Sequence, residues 1–138
     1  MRTRKTKGAL RRLIKNWAVP VGCGLLSLFL LRFVFFVGYV PSASMEPAIR
    51  KDSFIIGVRV FGDPSVGDAV AFRHDGMLLV KRIAALPGDT VTVGEERLIV
   101  PDGCYFTLGD NADISVDSRY WAEPFVRGEQ IVAKLLLP

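Results

Sequence analysis

The chain has 138 residues, 50% of them hydrophobic, and a formal net charge of +4. That length is enough for one small domain and a membrane anchor, and it excludes two full domains. A nucleic-acid-binding protein is also disfavoured because the positive charge is confined to one end. Residues 1–15 carry seven basic side chains and no acidic one, whereas residues 16–138 carry 11 basic and 14 acidic side chains.

The first element along the chain is a predicted membrane-spanning helix. The 15 residues Trp17–Leu31 are apolar or neutral, and the apolar character resumes after Arg32 as far as Val40. The whole stretch has 24 residues. As a helix it would measure roughly 36 Å, more than the ~30 Å hydrocarbon core of a bilayer. A cleaved signal peptide has a shorter apolar region, so we predict a permanent single-pass anchor.

The charge distribution predicts the orientation of this anchor. Basic residues beside a hydrophobic span keep that end of the chain in the cytosol. We therefore expect residues 1–15 to be a basic cytoplasmic segment and residues 16–34 to be the transmembrane part of a helix that starts near Leu13. Residues 35–138 would form an extracytoplasmic domain at the plasma membrane.

Short strands separated by turns are predicted after the anchor. Asp75-Gly76 is a strong hairpin signal between two apolar strands, and Pro87-Gly88-Asp89 indicates another turn. The spacing of these turns favours a mainly β fold, a small β-barrel or sandwich, over a helical one. The predicted strands are Phe33–Val40, Ser53–Arg59, Ala69–Arg73, Met77–Ala85, Thr90–Val93, Arg97–Val100, Cys104–Leu108 and Gln130–Leu137.

The cysteines and the single histidine indicate neither a disulfide nor a metal centre. Cys23 lies in the predicted span and Cys104 in the predicted outer domain, so the two are not expected to meet. His74 adjoins the Asp75-Gly76 turn, where an exposed polar residue is ordinary, and we expect no catalytic role for it. No cofactor or metal ligand set is predicted.

Lys81 is the candidate general base. It is flanked by apolar residues on the predicted strand Met77–Ala85, and strand periodicity places it on one face with Leu79 and Ile83. A buried ammonium is costly, so burial would lower the pKa and favour a neutral amine. The alternative is that Lys81 points to solvent from an edge strand, and the local pattern alone does not separate the two.

Ser44 is the candidate nucleophile, in a Ser-x-Ser-Met-x-Pro string that follows the predicted anchor. Pro41 and Pro47 stiffen this segment. The Ser44 backbone N–H and the Ser42 hydroxyl are candidate donors of an oxyanion hole. The alternative for the string is an ordinary polar turn.

The third candidate segment is the loop Gly109–Trp121, which is rich in side-chain acceptors and turn formers. Within it Asp117 and Arg119 are spaced to form an ion pair, and Ser115 is a candidate to hold the lysine amine in position. No matched carboxylate pair or His/Cys cluster suggests a glycosidase or metal site.

Together these strings closely resemble the type I signal peptidase family, membrane-bound serine peptidases with a Ser/Lys dyad. The strings Ser-x-Ser-Met-x-Pro, Lys-Arg-Ile-x-Ala-Leu-Pro-Gly-Asp and Gly-Asp-Asn…Ser-x-Asp-Ser-Arg-Tyr-Trp occur in the family's order. The resemblance implies that Ser44 is the nucleophile and Lys81 the general base. It also implies that Ser42 completes the oxyanion hole, that Ser115 orients Lys81, and that Asp117 and Arg119 brace the site.

The resemblance further implies that the protein removes signal peptides from exported preproteins with small-x-small cleavage sites, through an acyl-enzyme and beside the lipid bilayer. Three alternatives stay open. The first is a dedicated maturation peptidase of the same superfamily, for example one that processes a pilin. The second is a self-cleaving repressor, which the membrane span disfavours. The third is a catalytically silent, membrane-anchored binding module.

Overall fold

The computed structural model describes the backbone of residues 3–136 and the side chains of residues 15–136. The chain divides into two compact units, residues 1–34 and residues 35–138. The predicted fold class, a mainly β domain preceded by one apolar helix, is confirmed. Leu137, which was predicted to end the last strand, lies outside the described residues.

The first unit is a long helix. Helix α1 spans Thr3–Phe29 and continues as a π-helical segment, Leu30–Val34. The helix begins about ten residues before the predicted start because most of residues 3–14 are Lys, Arg, Leu or Ala, which are good helix formers. The stretch Lys15–Val34 has 20 residues and a mean hydropathy of 1.8, so it is long and apolar enough to span a membrane.

The second unit is made of short β-strands. The strands are β1 Phe35–Val40, β2 Ser53–Val58, β3 Ala69–His74, β4 Met77–Ala85, β5 Thr90–Val93, β6 Glu96–Ile99, β7 Cys104–Leu108, β8 Phe125–Arg127 and β9 Ile131–Leu135. Over the described residues they form two antiparallel sheets, a larger one of seven strands in the order β1-β2-β9-β3-β4-β7-β8 and the hairpin β5–β6. A short 3₁₀ helix, Gly128–Gln130, precedes β9.

Turn residues in the left-handed region set the strand boundaries. Asp75 (φ 48°) and Gly76 (φ 77°) form the two-residue turn that joins β3 to β4 in the register His74↔Met77. Positive φ at both central residues matches the twist of the flanking strands. This register fixes Lys81 opposite Val70, on the part of β4 that faces the protein interior.

The core consists of three clusters of buried apolar side chains. The first packs β1, β2, β3 and β9 around Met45 and Ile49, which come from the segment between β1 and β2. The second is centred on Phe72 and Ile83, and the third on Val100 and Phe106. Met45 has no exposed surface, so the segment that contains Ser44 is anchored in the first cluster by the residue next to it.

Candidate active site

Ser44 and Lys81 line the same cavity, which has a volume of about 520 Å³. Ser44 lies in the turn that follows β1, and Lys81 lies in the middle of β4. The cavity is otherwise mostly apolar, with walls from the end of β1, the first half of β4 and the loop 109–121. The fold therefore brings the predicted nucleophile and the predicted base, 37 positions apart in sequence, to one concave site.

The Lys81 side chain is buried, with 4% of its surface exposed, so the solvent-facing alternative is wrong. Nζ donates a hydrogen bond of 3.0 Å to Ser115 Oγ. Burial lowers the pKa of the amine from its ordinary value, since a charged group loses hydration there. Nearby Asp117 acts in the opposite direction, and Arg119 reinforces the lowering. The net result is an amine that is more readily neutral than an ordinary lysine.

Ser115 connects this amine to Asp117. Ser115 Oγ donates its single hydroxyl proton to Asp117 Oδ2 at 2.7 Å. The same oxygen can therefore only accept a hydrogen bond from Lys81. Ser115 is itself 3% exposed. An N–H of Lys81 is thus held by Ser115, and the amine's lone pair is left for another partner in the cavity.

Asp117 is completely buried and remains ionised because donors surround it. The Arg119 guanidinium donates from Nε to Oδ1 and from Nη2 to Oδ2, each at 2.9 Å, and the Gly109 N–H donates to Oδ2 at 2.9 Å. Burial alone would raise the pKa of this carboxyl, but these hydrogen bonds and that from Ser115 outweigh it and lower the pKa to about 2. Arg119 therefore both fixes the carboxylate and offsets its charge next to Lys81.

Ser42 lies beside Ser44. The two hydroxyl oxygens are 3.2 Å apart, within hydrogen-bonding distance. The Ser42 hydroxyl is at the cavity, where the sequence predicted a donor for an oxyanion hole. The segment itself is tightened by two backbone hydrogen bonds, from Glu46 N–H to the Ala43 carbonyl (3.1 Å) and from Ile49 N–H to the Met45 carbonyl (2.8 Å).

Three residues of the loop 109–121 have structural roles that the sequence reasoning did not assign. The Asn111 N–H donates to the Ser44 carbonyl at 3.0 Å, which ties the loop to the predicted nucleophile. Asp110 accepts a two-pronged hydrogen bond from Arg82, 2.7 Å from Nε and 2.6 Å from Nη2. Gly109 leaves no room for a side chain: a Cβ there would overlap Ser115 and lie 2.6 Å from the Ser44 carbonyl oxygen. These residues form the Gly-Asp-Asn string by which the sequence resembles type I signal peptidases, and that string was the signal that could have singled them out.

His74 is placed differently from the expectation. Its side chain is only 12% exposed and stacks on Trp121, with ring centroids 4.0 Å apart and an interplanar angle of 24°. Trp121 also contacts Phe72 edge-on. The expected exposed turn residue is thus packed because the C-terminal end of the loop 109–121 supplies an aromatic surface, which no local pattern indicated. His74 does not line the cavity.

Comparison with known proteins assigns the family. The family described as signal peptidase, peptidase S26, matches residues 12–100 and 94–138. The chain belongs to this family. It is similar to probable signal peptidase I-2 of Synechocystis sp., with 30% identity over 80% of this chain and 65% of that protein. It is also similar to probable signal peptidase I-1 of the same organism, with 31% identity over 80% of this chain and 74% of that protein.

Two further similarities extend across bacteria. Signal peptidase I of Bacillus amyloliquefaciens is 28% identical, over 86% of this chain and 84% of that protein. A signal peptidase I structure from Enterococcus faecalis matches 55% of this chain and 99% of its own, with 25% identity and a TM-score of 0.46. The chain spans just under two thirds of the length of the first relative named above.

Proposed function

We propose that this S26 family member is a membrane-anchored serine endopeptidase that removes N-terminal signal peptides from exported preproteins. The observation that carries the proposal is the buried Lys81 amine, which shares one cavity with Ser44 and is held by Ser115. A lysine can replace histidine as the base only when it is neutral, and burial favours that form. Membership of the signal peptidase family supports the choice of preproteins as substrates.

Unpaired strand edges support an extended substrate in this cavity. β1 is the terminal strand of its sheet, and β4 pairs with β7 only from Arg82 onward, so among the described residues the stretch Met77–Lys81 has no ladder partner on that side. Both stretches border the cavity. A substrate segment added as a strand at such edges gains backbone hydrogen bonds, and its alternate side chains enter pockets. We propose small side chains at the first and third positions before the cut.

In the proposed reaction, neutral Lys81 takes the Ser44 proton as Ser44 Oγ attacks the scissile carbonyl. The developing oxyanion is stabilised by the Ser44 N–H and the Ser42 hydroxyl. Lys81 then protonates the leaving amine, which departs as the mature protein and leaves an acyl group on Ser44. Lys81 next deprotonates a water molecule, which attacks the carbonyl carbon of the acyl-enzyme. As the bond to Ser44 Oγ breaks, Lys81 returns the proton to that oxygen, and the signal peptide leaves with a new carboxylate.

The apolar helix and the charge of residues 1–15 support a proposed location. We propose that the stretch Lys15–Val34 crosses the plasma membrane once, with the basic segment in the cytosol and residues 35–138 outside. In this arrangement the catalytic domain is tethered to the bilayer surface, where the signal peptide of a translocated preprotein is also located.

The direct test is cleavage of a preprotein with a small-x-small site by the detergent-solubilised full chain. We expect the wild type to release the mature protein and Ser44→Ala to release none, because the attacking oxygen is absent. Ser53→Ala is the matched control, since Ser53 Oγ bonds only the Arg50 carbonyl among the described residues and lies outside the cavity. Folded wild-type protein that leaves the preprotein intact would refute the proposal.

A further inference from the structure

The lining of the cavity that contains Ser44 and Lys81 includes a rim of exposed apolar side chains. Five of the large apolar side chains lining this cavity are about half or more exposed. They are Tyr39 (53%), Met77 (59%), Leu78 (48%), Ile114 (56%) and Val116 (65%). Scattered exposed apolar residues are normal on a protein surface, but five in the lining of one cavity are a local concentration of exposed apolar surface.

Ile114 and Val116 are the members of this rim that adjoin in sequence the residue bonded to Lys81. They flank Ser115, which is buried against Lys81 and Asp117, while they themselves extend toward solvent. Neither packs against any of the three core clusters of the described residues. Core packing therefore does not explain why both positions hold β-branched apolar side chains.

The direction of an extended substrate connects this pair to specificity. Successive side chains of a strand point to opposite sides. If the side chains at the first and third positions before the cut enter the cavity, the one at the second position points out to its mouth. Ile114 and Val116 flank Ser115 and line the cavity, so we take them as the apolar surface that this outward side chain would meet.

We propose that Ile114 and Val116 are specificity-determining residues that favour substrates with an apolar side chain at the second position before the cut. This inference rests on the proposed function, and it deepens the substrate class from small-x-small to small-apolar-small. The preference arises because covering the Ile114 and Val116 side chains removes apolar surface from water on both partners.

The test compares two peptides that differ only at this second position, leucine in one and asparagine in the other. The full chain in detergent is expected to cleave the leucine peptide with a kcat/KM about five- to ten-fold higher, mostly through KM, since partial burial of one side chain is worth a factor of this order. In the double variant Ile114→Thr/Val116→Thr, which keeps the β-branched shape and adds polarity, the ratio should fall to about one. Ile99→Thr is the matched control, because Ile99 is 68% exposed and lies outside the cavity.

The outcomes separate the two proposals. Equal cleavage of both peptides by the wild type, or a ratio that the double variant leaves unchanged, overturns the specificity assignment while the proposed function stands. A second pair of peptides differs at the first position after the cut, with leucine in one and asparagine in the other. The double variant should leave the cleavage ratio of this pair unchanged. If the double variant changes this ratio and not that of the first pair, the assignment to the second position before the cut is wrong. Failure of the folded wild type to cleave any of the peptides overturns the proposed function and this inference with it.

Discussion

Lys81 Nζ lies 3.0 Å from Ser115 Oγ, and the only proton of Ser115 is donated onward to Asp117. This relationship fixes the direction of the hydrogen bond between lysine and serine, because Ser115 has no proton left for the amine. The amine is therefore a donor to Ser115, and its basic lone pair is directed elsewhere. In the proposed reaction Ser115 is a positioning residue, and Lys81 is the group proposed to move the proton.

Ser115→Ala should lower kcat by about 10- to 100-fold with little change in KM, because the amine loses its orientation but no substrate-binding surface is removed. The measurement is steady-state cleavage of a small-x-small peptide. Ser118→Ala is the matched control, since Ser118 is equally buried in the same loop but bonds Thr107 instead of Lys81. An equal loss of kcat in both variants would mean that the Ser115 effect is only a loss of loop structure.

Arg119→Gln should shift the activity of the enzyme to higher pH. Arg119 lowers the pKa of Lys81 through its charge and offsets the charge of Asp117, so its removal leaves a carboxylate that stabilises the ammonium. The alkaline rise of kcat/KM should then occur at a higher pH than in the wild type. Arg127→Gln is the control because Arg127 pairs with Glu129 away from the cavity. An unchanged profile in Arg119→Gln would contradict this role.

Lys81→Met should abolish cleavage and raise the melting temperature. The native lysine loses hydration on burial, whereas methionine has a similar shape and no charge to desolvate. The Ser115 hydroxyl loses a partner, which offsets part of the gain, so we expect a net stabilisation of up to about 1 kcal/mol. Thermal unfolding in detergent measures it. Lys134→Met, which breaks the half-buried pair with Asp68, should not stabilise the fold. A lower melting temperature for Lys81→Met than for Lys134→Met would contradict this explanation.

The ionised Asp117 carboxylate should raise the free energy of unfolding, and this contribution should be lost at acidic pH. Its pKa falls from 3.8 to about 2 on folding, so the unfolded chain binds more protons between these values. The stabilisation is complete above about pH 5 and is lost as the pH falls through 2, with a magnitude of about 2 kcal/mol. The difference in unfolding free energy between wild type and Asp117→Asn should therefore shrink over this interval. A difference that is constant with pH would show that the carboxylate's charge is not the cause.

Gly109→Ala should inactivate the enzyme although no reacting group is changed. The added methyl group would overlap Ser115 and press on the Ser44 carbonyl. Ser115, which holds the predicted base, would therefore be pushed away from Ser44, the predicted nucleophile. A peptide-cleavage assay should show a loss of about 100-fold or more. Gly62→Ala is the matched control because its added methyl group meets nothing within 4 Å. Near-normal activity of Gly109→Ala would mean that the loop yields easily.

The local parts of the fold were predictable from the sequence. β4, β5 and β7 begin and end at the predicted residues, because turn formers bound them: Asp75-Gly76 before β4 and Gly88, with φ 88°, before β5. The three-residue strand β8 was missed because so short an edge strand carries almost no alternation. The position of β9 between β2 and β3 was also not predictable, since strand order depends on contacts far apart in sequence.

Some features of the candidate site were likewise predictable from the sequence, and others were not. The residue types of Ser44 and Lys81 were readable as possible nucleophile and base, and the ion pair of Asp117 with Arg119 was readable from their spacing. The sequence left the burial of Lys81 undecided, because the first half of β4 has no ladder partner on the β7 side among the described residues. The group that binds the amine, Ser115, comes from the loop 109–121, far away in sequence. The stacking of His74 on Trp121 likewise depends on a contact across the fold.

The most direct test of the central claim is the rate at which a serine-directed acylating probe labels Ser44, measured against pH in wild type and Lys81→Ala. The account predicts that labelling maps to Ser44 by mass spectrometry and that its rate rises through a pKa below the ordinary lysine value of 10.5. It also predicts that labelling is lost in Lys81→Ala. Labelling that is independent of pH, or that persists in Lys81→Ala, would contradict the assignment of Lys81 as the base that activates Ser44.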